Sequence, residues 1–409
     1  MASRFLFCPL ASPGHVFPMV GISLELARRG HEVAFATSGK FSDLLQEQGL
    51  RRIPLGSRDG ESFHLETWWE PTSIALQSGH IHFAVEEFHP DVLIGGQLTY
   101  GPIIMAEVLS LPVAILGFAA YLFPGTDEEV SNEADDRASW RLKSMLESFY
   151  RARKFLRLPD ASSERAAGHL LGDLFLLQSV PELEPRATGM PQRVHCVGSC
   201  LWEPARPDEQ LLNWLDDTRD IGPIIYVQHG RLFHLGTFWS TIVDCLGGTN
   251  VRVVASVGRM GGDEVVRSPS NFFVRDHVPQ GQVLPLATAV IGTANTTAVL
   301  GALSYGLPLL LLPGGGEQLE VAAACERAGV AKLLDPETVT PDSFRATLSQ
   351  IGKSGEFRAS AQKIRSKFMK INGHSRASDL LESLAKRGVS RGARGGMGIS
   401  GHVHPCGGS

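Results

Sequence analysis

The chain alternates short, wholly apolar runs with longer stretches whose apolar positions recur at helical spacing. Residues 5–10 form a continuous apolar run of the kind a fully buried parallel strand carries. Residues 11–18 read as a turn, and residues 19–29 as an amphipathic helix. Gly30 stands where a helix end favours a left-handed residue. Residues 31–37 form a second strand. That is a βαβ unit, right-handed by default, with a ligand crevice at the carboxyl ends of its strands. Residues 92–95, 113–117 and 174–177 read as further strands, with a helix over 102–109. Residues 137–156 are a long amphipathic helix whose basic end, Arg151, Arg153 and Lys154, suits the negative end of the helix dipole.

The second half repeats the pattern. Strands are predicted over 224–228, 251–257, 272–274, 289–292 and 307–312, and helices over 234–246, 296–305 and 317–328. The five prolines of 181–207 mark the passage between the halves. The fold class is therefore α/β, with two doubly wound, Rossmann-like domains facing a cleft. The expected limits are 1–205 for the first domain and 206–356 for the second. Charged helices over 357–387 and a tail over 388–409 follow. The tail holds eight glycines in 22 residues and is expected to be disordered.

A length of 409 residues agrees with two cores. Apolar residues make up 43% and charged residues 20%, an ordinary globular mix. The net charge of −5 gives no footprint for nucleic acid. No apolar run approaches the roughly 20 residues that cross a bilayer, and the run after Arg4 is too short for a signal peptide. Six scattered cysteines lack zinc-site spacing. A cytoplasmic, reduced protein is expected. His402, His404 and Cys406 in the tail lack the positioned surroundings a metal site needs.

Four segments carry candidate chemistry. His15 follows Pro13-Gly14 at the end of the first strand, with Pro18 closing the segment. An imidazole there suits a general base, because its ordinary pKa of about 6.5 lets it take a proton from an attacking alcohol. A second reading has His15 hydrogen-bonding only its own turn. The other three segments are His277-Val-Pro-Gln280, Thr293-Ala-Asn295-Thr296-Thr297, and Pro313-Gly-Gly-Gly-Glu317-Gln318. At the second of these, Asn295 or Thr296 suits a helix N-cap. A helix N-terminus is in any case an anion site.

Taken in order from Arg4 to about Leu384, these segments resemble family 1 glycosyltransferases of the plant and antibiotic type, which have the two-domain GT-B fold. On this resemblance 1–205 would bind the acceptor, 206–356 would bind the nucleotide-sugar donor, and the helices of 357–387 would cross back onto the first domain. The resemblance implies that His15 is the general base and that His277 stacks on a nucleotide base beside Gln280. It implies that Thr293, Asn295, Thr296 and Thr297 hold donor phosphate, and that Glu317 and Gln318 bond the sugar hydroxyls. Arg231, where the family generally has serine, has two readings: a guanidinium that would hold a diphosphate bidentately, or a surface arginine on a loop. Trp68, Trp69, Phe118 and Tyr121 are candidates for an apolar acceptor pocket. The chain also departs from the family. Gly96 stands where an orienting aspartate is common, and Thr293, Ala294 and Asn295 replace His-Gly-Gly. Gly301 replaces a glutamate on the following helix.

The leading expectation is an inverting, metal-independent hexosyltransferase acting in natural-product biosynthesis. It would use a TDP- or UDP-sugar as co-substrate, need no cofactor, and act on a small lipophilic acceptor. Neither nucleic acid nor an integral membrane contact is expected, and a homodimer stays open. The alternatives are a GT-B enzyme with a changed donor or non-sugar-transfer chemistry, and a non-catalytic partner of another glycosyltransferase.

Overall fold

The apolar runs become the strands of two parallel sheets. The computed structural model describes residues 2–123, 133–159, 169–184, 189–229, 238–258 and 268–392. The first half runs β1 (Arg4–Cys8), α1 (Pro13–Arg28), β2 (Glu32–Phe35), α2 (Ser42–Glu47), β3 (Arg51–Arg52) and α3 (Pro71–Phe88). It continues β4 (Val92–Gly96), α4 (Tyr100–Leu109), β5 (Val113–Gly117), α5 (Glu133–Phe155), β6 (Leu174–Leu177) and β7 (Val194–Cys196). The second half runs α6 (Glu209–Asp217), β8 (Ile224–Gln228), α7 (Phe238–Leu246), β9 (Arg252–Ser256), β10 (Phe272–Arg275), α8 (Gln280–Val283) and β11 (Ala287–Gly292). Then come α9 (Thr296–Ser304), β12 (Leu309–Leu311), α10 (Gln318–Arg327), β13 (Ala331–Leu333), α11 (Pro341–Lys353), α12 (Gly355–Ile371) and α13 (Gly373–Gly392).

The first sheet has the order β3-β2-β1-β4-β5-β6-β7 and the second β10-β9-β8-β11-β12-β13, with every pairing parallel. Strand order reverses between β1 and β4 and again between β8 and β11. Such switch points part the connecting loops and leave a crevice at the strand ends. β4 and β5 are buried along their whole length, as strands covered on both faces must be.

Two features join the halves. Ala119, Leu122, Val180 and Leu183 of the first half share one core with Val321, Ala322 and Phe368 of the second. Helix α13 returns to the first half, where Ala377, Leu381 and Leu384 pack with Val16, Met19 and Val20. At its edge Arg29 pairs with Asp379 at 2.7 Å and Glu382 at 3.1 Å.

Several local expectations are corrected. The segment 11–18 is not all turn, since α1 begins at Pro13. Proline at the first helical position loses no hydrogen bond, so Pro-Gly there opens a helix. The stretch 181–207 is not all connection, because Val194–Cys196 joins the first sheet as β7. Helix α3 escapes pattern reading because Gln77, Ser78 and His80 lie on its buried face. Helix α13 runs on through Gly392, past the limit expected at 387; residues 393–409 lie outside the described chain.

Candidate active site

Helix α1 delivers His15 to the cleft. Ser12 is the N-cap and His15 the third helical residue. The Ser12 hydroxyl makes no capping bond and instead lies 2.9 Å from His15 Nδ1. His15 Nε2 is buried without a hydrogen-bond partner. The ring stands edge-on to Phe118, centroids 5.9 Å apart. Burial lowers its pKa to about 4, and the positive end of α1 acts in the same direction. The imidazole is therefore neutral at pH 7. In the tautomer that donates Nδ1–H to the Ser12 oxygen, the Nε2 lone pair is free to accept.

The loop holding Phe118 is itself braced. The Gly117–Phe118 peptide is gripped on both sides: Gln178 Nε2 donates to the Gly117 carbonyl at 2.9 Å, and Phe118 N–H donates to Gln97 Oε1 at 3.2 Å. Two side-chain amides thus extend the sheet ladder past the end of β5 and fix the ring that walls His15.

Across the cleft stands the N-terminus of α9. A Cβ placed on Gly14 would lie 3.8 Å from Thr297 Cγ2, so the tips of α1 and α9 nearly touch. Asn295 occupies the N-cap but makes no capping bond. Its amide nitrogen donates to Thr293 Oγ1 at 2.9 Å and Gln228 Oε1 at 3.4 Å, and its oxygen accepts from Gln318 Nε2 at 3.2 Å. Gln318 Oε1 accepts from Gly314 N–H at 2.9 Å. The turn after β11 and the glycine loop after β12 are thereby tied together. Thr296 Oγ1 beside them is buried without a hydrogen-bond partner. Burial raises the Glu317 carboxyl above its ordinary range.

A single cavity of about 210 Å³ joins the two faces. His15 and Phe118 line it from the first half; His277, Gln280, Asn295, Thr296, Thr297, Glu317 and Gln318 line it from the second. His277 sits exposed at the rim. The remaining expected residues fall elsewhere. Thr293 is fully buried and does not line the cavity, because its hydroxyl serves Asn295. Trp68 and Tyr121 pack on the first-half core and Trp69 lies 44% exposed, so of the four aromatic candidates Phe118 alone reaches the cavity. Aromatic rings in loops follow the nearest apolar surface, which here is Tyr100 for Trp68 and Phe175 for Tyr121. Arg231 lies outside the described residues.

Among the cavity residues that were not anticipated, three make hydrogen bonds that shape the site. Ser12 was hidden within an apparent turn. Gln228 supplies an acceptor to Asn295. Glu203, from the proline-rich stretch, accepts the backbone N–H groups of Gln280 at 3.3 Å and Gly281 at 3.0 Å. Among the described residues no three metal-ligating side chains cluster. No helix among them is long and apolar enough to cross a membrane.

Residues 12–120 match the glycosyltransferase family 28 N-terminal domain, and residues 240–371 match the erythromycin biosynthesis protein CIII-like C-terminal domain. The two matches fall on the two sheets that frame the cavity. This chain belongs to the natural-product GT-B glycosyltransferases. The enzyme is 25% identical to 4'-demethylrebeccamycin synthase of Lentzea aerocolonigenes over 427 residues, spanning 94% of this chain and 100% of the relative. It is 23% identical to the NDP-glycosyltransferase YjiC of Bacillus subtilis, over 91% of this chain and 95% of that one. The solved glycotransferase of kitacinnamycin superposes with a TM-score of 0.74 at 20% identity, covering 94% of this chain and all of that one, a likeness in fold.

The glycosyltransferase replaces several family side chains with other contacts. A Cβ at Gly96 would stand 3.6 Å from His15 Cδ2, so the missing carboxylate would indeed sit beside the ring, while Ser12 holds Nδ1. A Cβ at Gly301 would stand 2.5 Å from Gln280 Oε1, so the Gln280 amide fills the space where the family carries a glutamate. Ala294, where the family typically has a glycine, adopts a left-handed backbone at φ 63°. That conformation costs an alanine about 1–2 kcal/mol.

Proposed function

We propose that this glycosyltransferase moves a sugar, with inversion, from a TDP- or UDP-linked donor to a hydroxyl of a small lipophilic acceptor. His15 is its general base, and no metal ion or other cofactor takes part. The acceptor oxygen attacks the anomeric carbon in line, the bond from that carbon to the diphosphate oxygen breaks, and the acceptor proton passes to His15 Nε2. The nucleoside diphosphate departs toward the N-terminus of α9, where unpaired N–H groups and the helix dipole favour negative charge. Glu317 and Gln318 would bond the sugar hydroxyls, and His277 would stack on the base at the rim. One cavity for both substrates supplies proximity.

The observation that carries this reading is the unspent Nε2 of His15. It is held by Ser12 through the opposite nitrogen and lines the same cavity as Thr296, Glu317 and Gln318. The words "NDP-glycosyltransferase" in the name of the Bacillus relative support a nucleotide-linked donor. Burial of Cys8, Cys200 and Cys325, which holds their thiols protonated, suits a reducing cytoplasm.

Calorimetry with UDP, TDP and GDP tests the donor. Saturable binding of one of them is expected, and binding of none would remove the reading. His15→Ala should abolish turnover with nucleotide affinity nearly unchanged. Undiminished turnover in that variant would remove His15 as base. The tied-up turn at Asn295 favours one second reading, the same fold with a changed donor. Tight nucleotide binding without transfer from any common TDP- or UDP-sugar would select it.

A further inference from the structure

Arg141 stands on α5, a helix of the first half, and reaches across to the second. Its Nη2 donates to a Glu320 carboxylate oxygen at 2.7 Å and to the Gly316 carbonyl at 3.1 Å. The two paired side chains are only 13% and 14% exposed. Arg137, one turn earlier, approaches the other Glu320 oxygen at 3.9 Å. A second ion pair between the halves, Lys367 with Glu182, is 49% and 40% exposed, and exposed pairs contribute little. A largely buried pair differs, because removing one partner leaves the other charge poorly exposed to water.

What Arg141 touches gives the contact its meaning. Gly316 precedes Glu317 and adopts φ 61°, a left-handed conformation open to glycine. The loop has few bonds of its own: Gly314 N–H to Gln318 Oε1, and Gln318 N–H to the Gly315 carbonyl at 3.2 Å. The orientation of the peptide that leads into Glu317 is therefore set largely from the opposite half. Arg141 Nη1 is buried beside the loop without a hydrogen-bond partner, which leaves the guanidinium further donor capacity there. The Arg141 charge also draws the Glu317 carboxyl down against the upward pull of burial.

We infer that Arg141 is a positioning residue for sugar recognition. From α5 it holds the 313–318 loop in the shape that presents Glu317 and Gln318 to the transferred sugar, so donor-sugar binding depends on the two halves being closed together. The inference rests on the transfer reading above and adds a residue that touches neither substrate.

Arg141→Met and Glu320→Gln, singly and together in the full chain, test it. Each single substitution should raise the donor KM about tenfold, the loss of one charged hydrogen-bonded contact. The double variant should be no worse than either single. The free nucleoside diphosphate should bind within about twofold of its wild-type affinity, because it does not meet the loop. Hydrogen exchange at 314–318 should quicken in all three variants while exchange in β11 stays unchanged. An unchanged KM, additive losses, unchanged exchange, or an equal loss of nucleoside diphosphate affinity would each overturn the inference. If Arg141→Met fails to fold, Arg141→Lys keeps the charge on a shorter side chain whose ammonium falls short of the point where Nη2 meets both acceptors, and an intermediate KM is expected; a wild-type KM would overturn the inference. Should the wild-type enzyme turn over no nucleotide sugar, the transfer reading fails on its own, and the exchange measurement still decides whether Arg141 holds the loop.

Discussion

Ser12 Oγ and His15 Nδ1 lie 2.9 Å apart, the N-cap of α1 bonded to its own third residue. A neutral hydroxyl thus orients the imidazole where the family commonly uses a carboxylate, whose usual position is held by Gly96. A hydroxyl holds the ring in place, but because it can donate or accept it does not select the tautomer as a carboxylate would, and it does little to stabilise an imidazolium. Ser12→Ala should lower kcat about tenfold, roughly the worth of one net hydrogen bond. The donor KM should stay within about twofold, since the side chain does not meet the nucleotide. Steady-state kinetics on the two variants, Ser12→Ala and wild type, decide it; an equal kcat would make Ser12 a plain turn residue.

The pH profile follows from the same pair. Burial pushes the His15 pKa down to about 4 by disfavouring the charged form, so the base proposed above is neutral throughout the neutral range. The acid limb of kcat/KM should lie near 4, with no step from this group between about 5 and 8. Ser12→Asp puts a charge beside Nδ1, and an adjacent carboxylate raises an imidazole pKa by about 1–3 units. The limb should then move up into easily measured range. A wild-type limb near 6.5 would contradict the lowering of the pKa by burial, and a limb that ignores Ser12→Asp would contradict the assignment of the base.

Asn295 spends its amide on Thr293, Gln228 and Gln318 together. Asn295→Ala frees Gln318 from its anchor. A donor KM raised about fivefold is expected, with a stability loss of about 1–2 kcal/mol by urea titration, since each lost net bond is worth about 1 kcal/mol. Intact kinetics with reduced stability would mean that the network serves the fold alone.

Gly301 gives room to the Gln280 amide. Gly301→Ala should swing that amide toward the cleft. The far end of a glutamine moves cheaply, and alanine gains about 0.5–1 kcal/mol of helix preference over glycine. Stability should therefore change by less than about 1 kcal/mol. Nucleotide affinity measured by calorimetry should shift at least about threefold, because a donor-side contact has moved. A large loss of stability with unchanged affinity would show that Gln280 is locked in the core.

Acid should weaken the folded state through buried histidines. His80 is fully buried between Ser62 Oγ at 2.8 Å and the Ile53 carbonyl at 2.7 Å, and burial lowers its pKa. His374 is lowered for the same reason. In the unfolded chain such groups titrate near 6.5. As pH falls below that value the unfolded chain binds protons that the folded one refuses, so stability drops until the lowered folded pKa values are reached. Urea midpoints should fall from pH 7 to pH 5, and His80→Gln should flatten part of that slope. An unchanged slope would place the loss in other groups.

Most of the strands and the two-domain α/β class were legible because buried parallel strands are apolar throughout, as Val92–Gly96 and Val113–Gly117 show. The place of His15 was legible through Pro13, Gly14 and Pro18. What the Ser12 hydroxyl bonds to was not, because a serine before Pro-Gly reads equally as turn or cap. Asn295 looked like a cap for the same reason, and only the positions of Gln228 and Gln318 reveal its other bonds. Arg141 and Gly316 are 175 residues apart in sequence, beyond any local pattern. Trp68 and Tyr121 show the converse limit: residue type marks an apolar side chain but not the direction in which it points.

The return of α13 onto α1 constrains how such enzymes can be recombined. Ala377, Leu381 and Leu384 complete the interior that Val16, Met19 and Val20 begin, and Arg29 is neutralised by carboxylates from the far end of the chain. A chimera spliced once between the lobes would therefore give one parent's foundation the other parent's buttress. Hybrids built to exchange donor preference should take the closing helix from whichever parent supplies the first lobe.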